Sequence, residues 1–212
     1  MQKLNGRLKS FCAYFIKPRN TYTEIEKEDY LKKFPDGKYS LEANYYKSEM
    51  YANQQNWALA VTGYAVVADK APNKFAEKSL LQAARLNFFY IKDYGKAETY
   101  YTRLKDFASS QENKMEAMRG LLRSQYELQH WSNAVGNAQD LLSQKGIGSD
   151  DKIIANMVIG KSYLTDGKCD QALPYFKAVV SLSRATYGAE AQYQIAECQF
   201  GQDRLKEAEK SA

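Results

Sequence analysis

The chain has 212 residues, of which 44% are hydrophobic and 26% are charged, and its formal net charge is +5. That length allows one large domain or two small ones, with a core large enough to need no disulfide or metal. The excess charge lies in residues 1–20, which contain no acid and five basic residues, Lys3, Arg7, Lys9, Lys17 and Arg19. The rest of the chain is neutral and lacks the clustered cations that nucleic-acid binding requires, so we expect no nucleic-acid partner.

Residues 1–21 form a basic N-terminal segment that we interpret as a solvated terminus. The alternative is a segment that binds an acidic membrane surface or an acidic partner. The apolar run in it, residues 11–16, is shorter than a signal-peptide core of about 7 residues and far shorter than a membrane span of about 20. The sequence therefore predicts no targeting signal and no membrane span.

The three cysteines are widely spaced and show no CxxC pair. This pattern predicts neither a disulfide framework nor a zinc site. Cys169 replaces an aromatic residue of a repeated pattern, and Cys198 lies on an apolar helix face. We interpret both as core residues rather than reactive thiols.

Five segments have apolar residues at the i, i+3, i+4 and i+7 spacing of an amphipathic helix. They are residues 41–55, 78–92, 115–129, 153–166 and 189–201. A second helix is predicted after each, anchored 36–38 residues apart by Ala60, Ala97, Ala134, Ala172 and Ala208. Four residues after the first four anchors come Tyr64, Tyr101, Ala138 and Phe176. Self-similarity at this period indicates stacked helix hairpins.

Small residues recur in the middle of the first helices, at Ser48, Ala84, Gly120, Gly160 and Ala196. Glycine inside a helix costs about 1 kcal/mol relative to alanine, so its recurrence in register favours a close approach of two helices. Ser149 or Asp150 is predicted to cap the helix at residue 153.

This pattern resembles the tetratricopeptide repeat (TPR), in which a small residue and a Tyr in one helix are followed by Ala and Phe in the next. Residues 41–74 match it through Ser48, Tyr51, Ala60, Tyr64 and Pro72, and residues 153–186 match it through Gly160, Tyr163, Ala172 and Phe176. The resemblance implies an all-α, right-handed TPR-type α-solenoid of antiparallel helix hairpins, with about 9–11 helices. It implies one solenoid over residues 22–212, with a degenerate repeat at 22–38, repeats at 41–74, 78–111, 115–148 and 153–186, and a partial repeat at 189–212.

The stretch 34–51 is also similar in style to bacterial envelope TPR proteins, namely outer-membrane-assembly lipoproteins and the Tol–Pal-associated coordinator. That similarity implies a location in the bacterial periplasm or cell envelope, with the cytoplasm as the alternative.

No catalytic motif is present in the sequence. The single histidine, His130, lies at a turn, where a cap or surface role is favoured over a ligand or general base. We therefore expect no enzymatic activity, no cofactor and no metal.

Recognition of a protein or peptide segment remains as the expected function. By resemblance, residues of the first helices that point away from the packing face would line a concave groove. They are Glu42, Tyr45, Tyr46, Glu49 and Asn53; Gln82, Leu86, Phe89 and Tyr90; Arg119, Arg123, Tyr126 and Glu127; Met157, Lys161 and Thr165; and Tyr193 and Glu197. Tyrosine and arginine often anchor interfaces, and the alternative for each of these tyrosines is a place in the core between repeats. The Lys and Asn positions with which some TPR domains clamp a chaperone's C-terminal carboxylate are Tyr45, Glu49, Ala83, Glu116 and Gly120 here, so the clamp is absent.

Two other readings stay open. The first alternative is a structural module that self-associates through a C-terminal open face at residues 189–212. The second is the helical regulatory portion of a larger enzyme.

Overall fold

The structure, a computed structural model, describes residues 24–201. The basic segment 1–21, residues 202–212 and Ala208 lie outside the described residues. Ten α-helices and one π-helical segment make up the described range. The predicted all-α class is confirmed, and the helix number agrees with the 9–11 expected.

The first compact unit ends at Lys92 and contains four α-helices. They are α1 (Glu24–Lys33), α2 (Ser40–Asn53), α3 (Trp57–Asp69) and α4 (Ala76–Arg85), the last continued by a π-helical segment (Leu86–Ile91). Each helix packs against the next along the chain, and the π-helical segment also packs on α3. The predicted helix at 78–92 is therefore α-helical over its first part only.

The second compact unit begins at Asp93 and contains six α-helices. They are α5 (Tyr94–Phe107), α6 (Gln111–Glu127), α7 (Trp131–Ser143), α8 (Ser149–Thr165), α9 (Cys169–Leu182) and α10 (Thr186–Gly201). Consecutive helices pack together, α6 also packs on α8, and α8 on α10. A single solenoid over residues 22–212 stays a prediction.

A left-handed turn residue recurs at the end of the first helix in the four repeats at 41–74, 78–111, 115–148 and 153–186. Gln55, Lys92, Gln129 and Gly167 have φ values of 60°, 63°, 57° and 71°. A residue in this conformation just past a helix ends it by directing the chain away from the helical path. The predicted short turns are thus alike in backbone conformation, although only one of these four positions is glycine.

Small residues and aromatic rings meet where helices approach closely in the second unit. A Cβ atom added at Gly120 would overlap the ring of Tyr101, and one added at Gly160 would lie 2.7 Å from Cε1 of Phe176. Both rings are almost completely buried. The close approach predicted from these two glycines is confirmed.

Replacement of Gly160 by alanine tests this contact. We expect Gly160→Ala to lower the free energy of unfolding by about 1–2 kcal/mol, because overpacking against a buried ring outweighs the better helix propensity of alanine. Gly136 is the matched control, since a Cβ there meets nothing within 4 Å in the exposed middle of α7. Gly136→Ala should stabilise by up to about 1 kcal/mol. Urea unfolding of both variants checks the opposite signs, and a stabilising Gly160→Ala would contradict the packing argument.

The predicted cap of the helix at residue 153 is wrong. That helix, α8, begins one turn earlier, at Ser149, and the residue at its N-cap is Gly148, which makes no side-chain cap hydrogen bond. Asp151 lies in the first turn, is buried, and accepts two 2.9 Å hydrogen bonds from Nε of Arg119. An acidic residue in the first turn is also favoured by the helix dipole, so this pair explains the earlier start.

The interpretation of the cysteines is wrong in one respect, because Cys169 and Cys198 form a disulfide with Cα atoms 5.5 Å apart. Cys169 is the first residue of α9 and Cys198 lies in the last turn of α10. Residues 183–185 join these helices as a tight hairpin, which brings the start of one beside the end of the other. The core assignment itself holds, since Cys198 is buried and Cys169 packs against its cluster.

Candidate functional site

The predicted groove residues of α2 lie in or beside an aromatic cluster of the first unit. Tyr45 is buried and stacks on Phe75, with ring centroids 4.7 Å apart. The prediction that Tyr45 faces a groove is therefore wrong, because its ring fills the space between helices. Tyr46 is half-buried and meets Phe75 edge-on, and Glu49 accepts a hydrogen bond from the Tyr64 hydroxyl. Burial, reinforced by Glu49, raises the pKa of Tyr45 to about 12.

The candidates on α4 and the π-helical segment differ sharply in exposure. Leu86 is 5% exposed and belongs to the core, so its assignment to the groove is wrong. Phe89 and Tyr90 are exposed, and the Tyr90 ring stacks on Trp57 with centroids 4.2 Å apart. Asn53, also predicted to face the groove, is exposed, and Gln82 is half-buried.

Two candidates of the second unit serve packing rather than recognition. Met157 is fully buried in the cluster around Phe176, so its groove assignment is wrong. Arg119 holds the buried Asp151 carboxylate. An uncompensated buried charge is strongly destabilising, which gives this arginine a structural role.

An open cavity of about 390 Å³ lies between α6, α8 and α10 and the beginning of α7. Four predicted groove residues line it, namely Tyr126, Glu127, Lys161 and Thr165. Five further residues complete the lining, namely Gln129, Trp131, Leu164, Glu190 and Gln194. The cavity thus combines two aromatic rings, one aliphatic side chain, three ionisable groups and three further polar side chains.

The walls of this cavity are held by a hydrogen-bonded network centred on Glu190. The Tyr126 hydroxyl donates to one carboxylate oxygen at 2.6 Å, and Lys161 Nζ lies 2.8 Å from the other. Burial raises the pKa of the Tyr126 phenol above its usual range, and the bond to Glu190 adds to that effect. The phenol therefore remains a donor at neutral pH and fixes α10 against α6.

Tyr187 extends this wall at the start of α10. Its ring meets that of Tyr126 edge-on at 5.7 Å. Burial and the nearby Glu127 carboxylate raise the Tyr187 pKa, and the Arg123 guanidinium opposes them. Arg123 and Glu127 therefore lie within electrostatic reach of the same ring.

The remaining candidates of α10 lie beside the cavity. Tyr193 is 58% exposed and its hydroxyl donates to Glu197 at 2.5 Å. Glu197 also accepts from the side-chain nitrogen of Gln194, at 3.2 Å. The candidates of the second unit that the structure brings together are thus Arg123, Tyr126, Glu127 and Lys161, with Tyr193 at the margin.

Glu190 is the most informative residue that the sequence reasoning missed. A signal for it existed, because Glu190 occupies the second position of the repeat that begins at residue 189, as Glu42 does in the repeat that begins at 41. Trp131 was also absent from the predicted groove residues. Its ring meets Tyr126 edge-on at 5.2 Å, and it also lines the cavity.

His130 is exposed at the N-terminal boundary of α7, and its Nδ1 lies 3.1 Å from the Glu98 carboxylate. Among residues 24–201, no three or more His, Cys, Asp or Glu side chains are grouped in a way that could hold a metal ion. None of the helices in that range combines the length and hydropathy needed to cross a bilayer.

Comparison with known proteins bears on the fold. No protein-family model matches the sequence, and no curated protein sequence matches it. Solved structures do match. The crystal structure of MamA superposes with a TM-score of 0.60 at 16% identity, covering 82% of this chain and 88% of that one. YrrB, a TPR protein with an unusual peptide-binding site, gives 0.59 at 14% identity, covering 87% and 89%.

A tetratricopeptide repeat protein from Parabacteroides merdae gives a TM-score of 0.52 at 15% identity, covering 96% of this chain and 74% of that one. Likeness at such low identity bears on the fold and on nothing else. Together with the helix order, it establishes that the chain is folded as a TPR-type α-solenoid.

Proposed function

We propose that the chain is a non-catalytic protein-interaction scaffold, and that it binds a peptide or protein segment on the face formed by α6, α8 and α10. The cavity lined by all three helices carries this proposal, because it places aromatic, charged and amide groups around one concave site. Tyr and Trp are the side chains that most often anchor interfaces, and this cavity contains one of each. The description of YrrB as having a peptide-binding site supports the same mode of action.

The proposal extends to a bacterial cell-envelope complex. The Cys169–Cys198 disulfide supports this location, because such bonds persist in oxidising compartments such as the periplasm and are rare in the cytosol.

A bait experiment tests the scaffold. The purified chain is incubated with a cell-envelope extract, crosslinked, and analysed by mass spectrometry. We expect crosslinks between one partner and α6, α8 and α10, reduced at least tenfold in the variant Glu127→Arg/Thr165→Arg. Both positions are exposed and line the cavity, so bulky cations there should block it without disturbing the core.

The matched control is Glu112→Arg/Thr102→Arg, which makes the same chemical changes at exposed positions away from the cavity. It should retain the partner. Equal loss in both variants would contradict a cavity site. Crosslinks confined to second copies of the chain at residues 193–200 would instead support self-association, which the exposed Tyr193 and Phe200 favour.

A further inference from the structure

We infer that the segment bound in this cavity is basic. A Lys or Arg side chain of that segment has the rings of Tyr126 and Trp131 on one side and the carboxylates of Glu127 and Glu197 on the other. The inference rests on the proposed function and names the chemistry of the partner. Three features of the site support it: its unpaired charges, an amide side chain in its wall and its aromatic rings.

The first feature is the balance of unpaired charge. Lys161 and Glu190 neutralise each other at 2.8 Å, as do Arg119 and Asp151 at 2.9 Å. Within residues 24–201, Glu127 pairs with no cation, and Glu197 accepts hydrogen bonds from Tyr193 and Gln194 only.

Asp150 is also without an ion-pair partner in the described range. Its charge, like those of Glu127, Glu190 and Arg123, lies close enough to Tyr187 to shift the pKa of that phenol. Arg123 is the one opposing cation in that group outside an ion pair of the described residues. The charges left to meet a partner are therefore mainly negative, and a cationic segment is the complementary one.

The second feature is Gln194, which lines the cavity and is only 8% exposed. Its side-chain nitrogen donates to Glu197 at 3.2 Å. Its side-chain carbonyl oxygen accepts no hydrogen bond from any residue in the range 24–201. This oxygen is open to the cavity and can accept an N–H bond from a ligand. Lysine, arginine and the peptide backbone all supply one.

The third feature is the pair of aromatic rings. Tyr126 and Trp131 meet edge-on at 5.2 Å in the cavity wall. The face of such a ring attracts a cation, and tryptophan does so most strongly. The volume of about 390 Å³ lies at the lower end of the range for ligand sites, which suits one or two side chains of an extended segment.

Blocked eight-residue peptides of alternating Lys–Ser, Gln–Ser and Glu–Ser sequence test the inference. The chain has two tryptophans, so the variant Trp57→Phe leaves Trp131 as the only tryptophan reporter at the cavity. In this background we expect the Lys–Ser peptide to change Trp131 emission and to bind roughly tenfold more tightly than the Gln–Ser peptide, with the Glu–Ser peptide weakest. Glu127→Gln/Glu197→Gln should remove most of that preference while the melting temperature stays unchanged.

The control variant, Asp106→Asn/Glu112→Gln, removes two exposed carboxylates away from the cavity and should change affinity less than twofold. An equal loss of affinity in both variants would show that the overall charge of the chain, and not this site, attracts the peptide. That result would overturn the inference. Tighter binding of the neutral or acidic peptide, seen through Trp131, would overturn the basic specificity and leave the scaffold standing. If no peptide binds, the inference falls; if the extract experiment also gives no crosslinks to α6, α8 and α10, the proposed function falls with it.

Discussion

Phe176→Ala should lower the free energy of unfolding by about 3–5 kcal/mol, the range for removing a large aromatic side chain from a packed core. Phe176 is fully buried and its ring lies against the backbone of Gly160. It packs in a cluster drawn from α8, α9 and α10. Since the helices on either side approach so closely, they cannot collapse into the cavity that alanine would leave. The loss would be a large fraction of the total stability of an ordinary domain, which is about 5–15 kcal/mol.

Urea unfolding followed by circular dichroism and by tryptophan fluorescence measures this effect. Phe200→Ala is the matched control, because Phe200 is 67% exposed on α10. It should change stability by less than about 0.5 kcal/mol. A loss below about 1 kcal/mol for Phe176→Ala would contradict the packing of α8 on α9 described here.

The repeat register was predictable because each contact between helices demands a particular pair of sizes. A glycine in the middle of a helix leaves room for an aromatic ring of a neighbouring helix. The recurrent spacing of Gly120, Gly160, Tyr101 and Phe176 therefore predicted such contacts. The partners of each ring were not predictable, because Gly120 meets a ring from the preceding repeat whereas Gly160 meets one from its own.

The groove assignments failed where a helix has several neighbours. Helix α8 packs against α6, α7, α9 and α10, so more than one stripe of it is buried and Met157 is enclosed. A periodicity argument assigns one buried face to each helix, so it underestimates how much of the surface of α8 is buried. Leu86 failed for a local reason, since the π-helical segment that starts there abandons the i, i+4 spacing on which its face was predicted.

The cavity was partly predictable. Tyr126, Glu127 and Lys161 followed from their positions on the first helices. Trp131 did not, because it comes from the beginning of a second helix and reaches the cavity only through its contact with Tyr126. Glu190 could have been found from its position in the repeat, whereas Gln194 needed the packing of α10, which spacing alone does not give.

Reduction of the Cys169–Cys198 bond should destabilise the second unit by about 3–4 kcal/mol. The bond closes a chain segment of 29 residues, and closing a loop of that size restricts the unfolded ensemble by about this amount. Unfolding of the oxidised chain with and without dithiothreitol should therefore differ by this free energy. The variant Cys169→Ala/Cys198→Ala should show no difference between the two conditions, whereas Cys12→Ala should retain the full difference.

Peptide mapping without reductant provides a direct test, because one fragment should join Cys169 to Cys198. Free thiols at both positions in protein taken from an oxidising compartment would contradict the bond, and they would also remove its support for an envelope location. A third outcome is that the bond is present but reduction changes the free energy of unfolding by less than about 1 kcal/mol. That result would mean that packing alone holds α9 and α10 together in the reduced chain. The two cysteines lie at similar distances along the chain from the turn at 183–185. The sequence analysis nevertheless predicted no disulfide, because spacing alone does not show that both side chains face the same contact between α9 and α10.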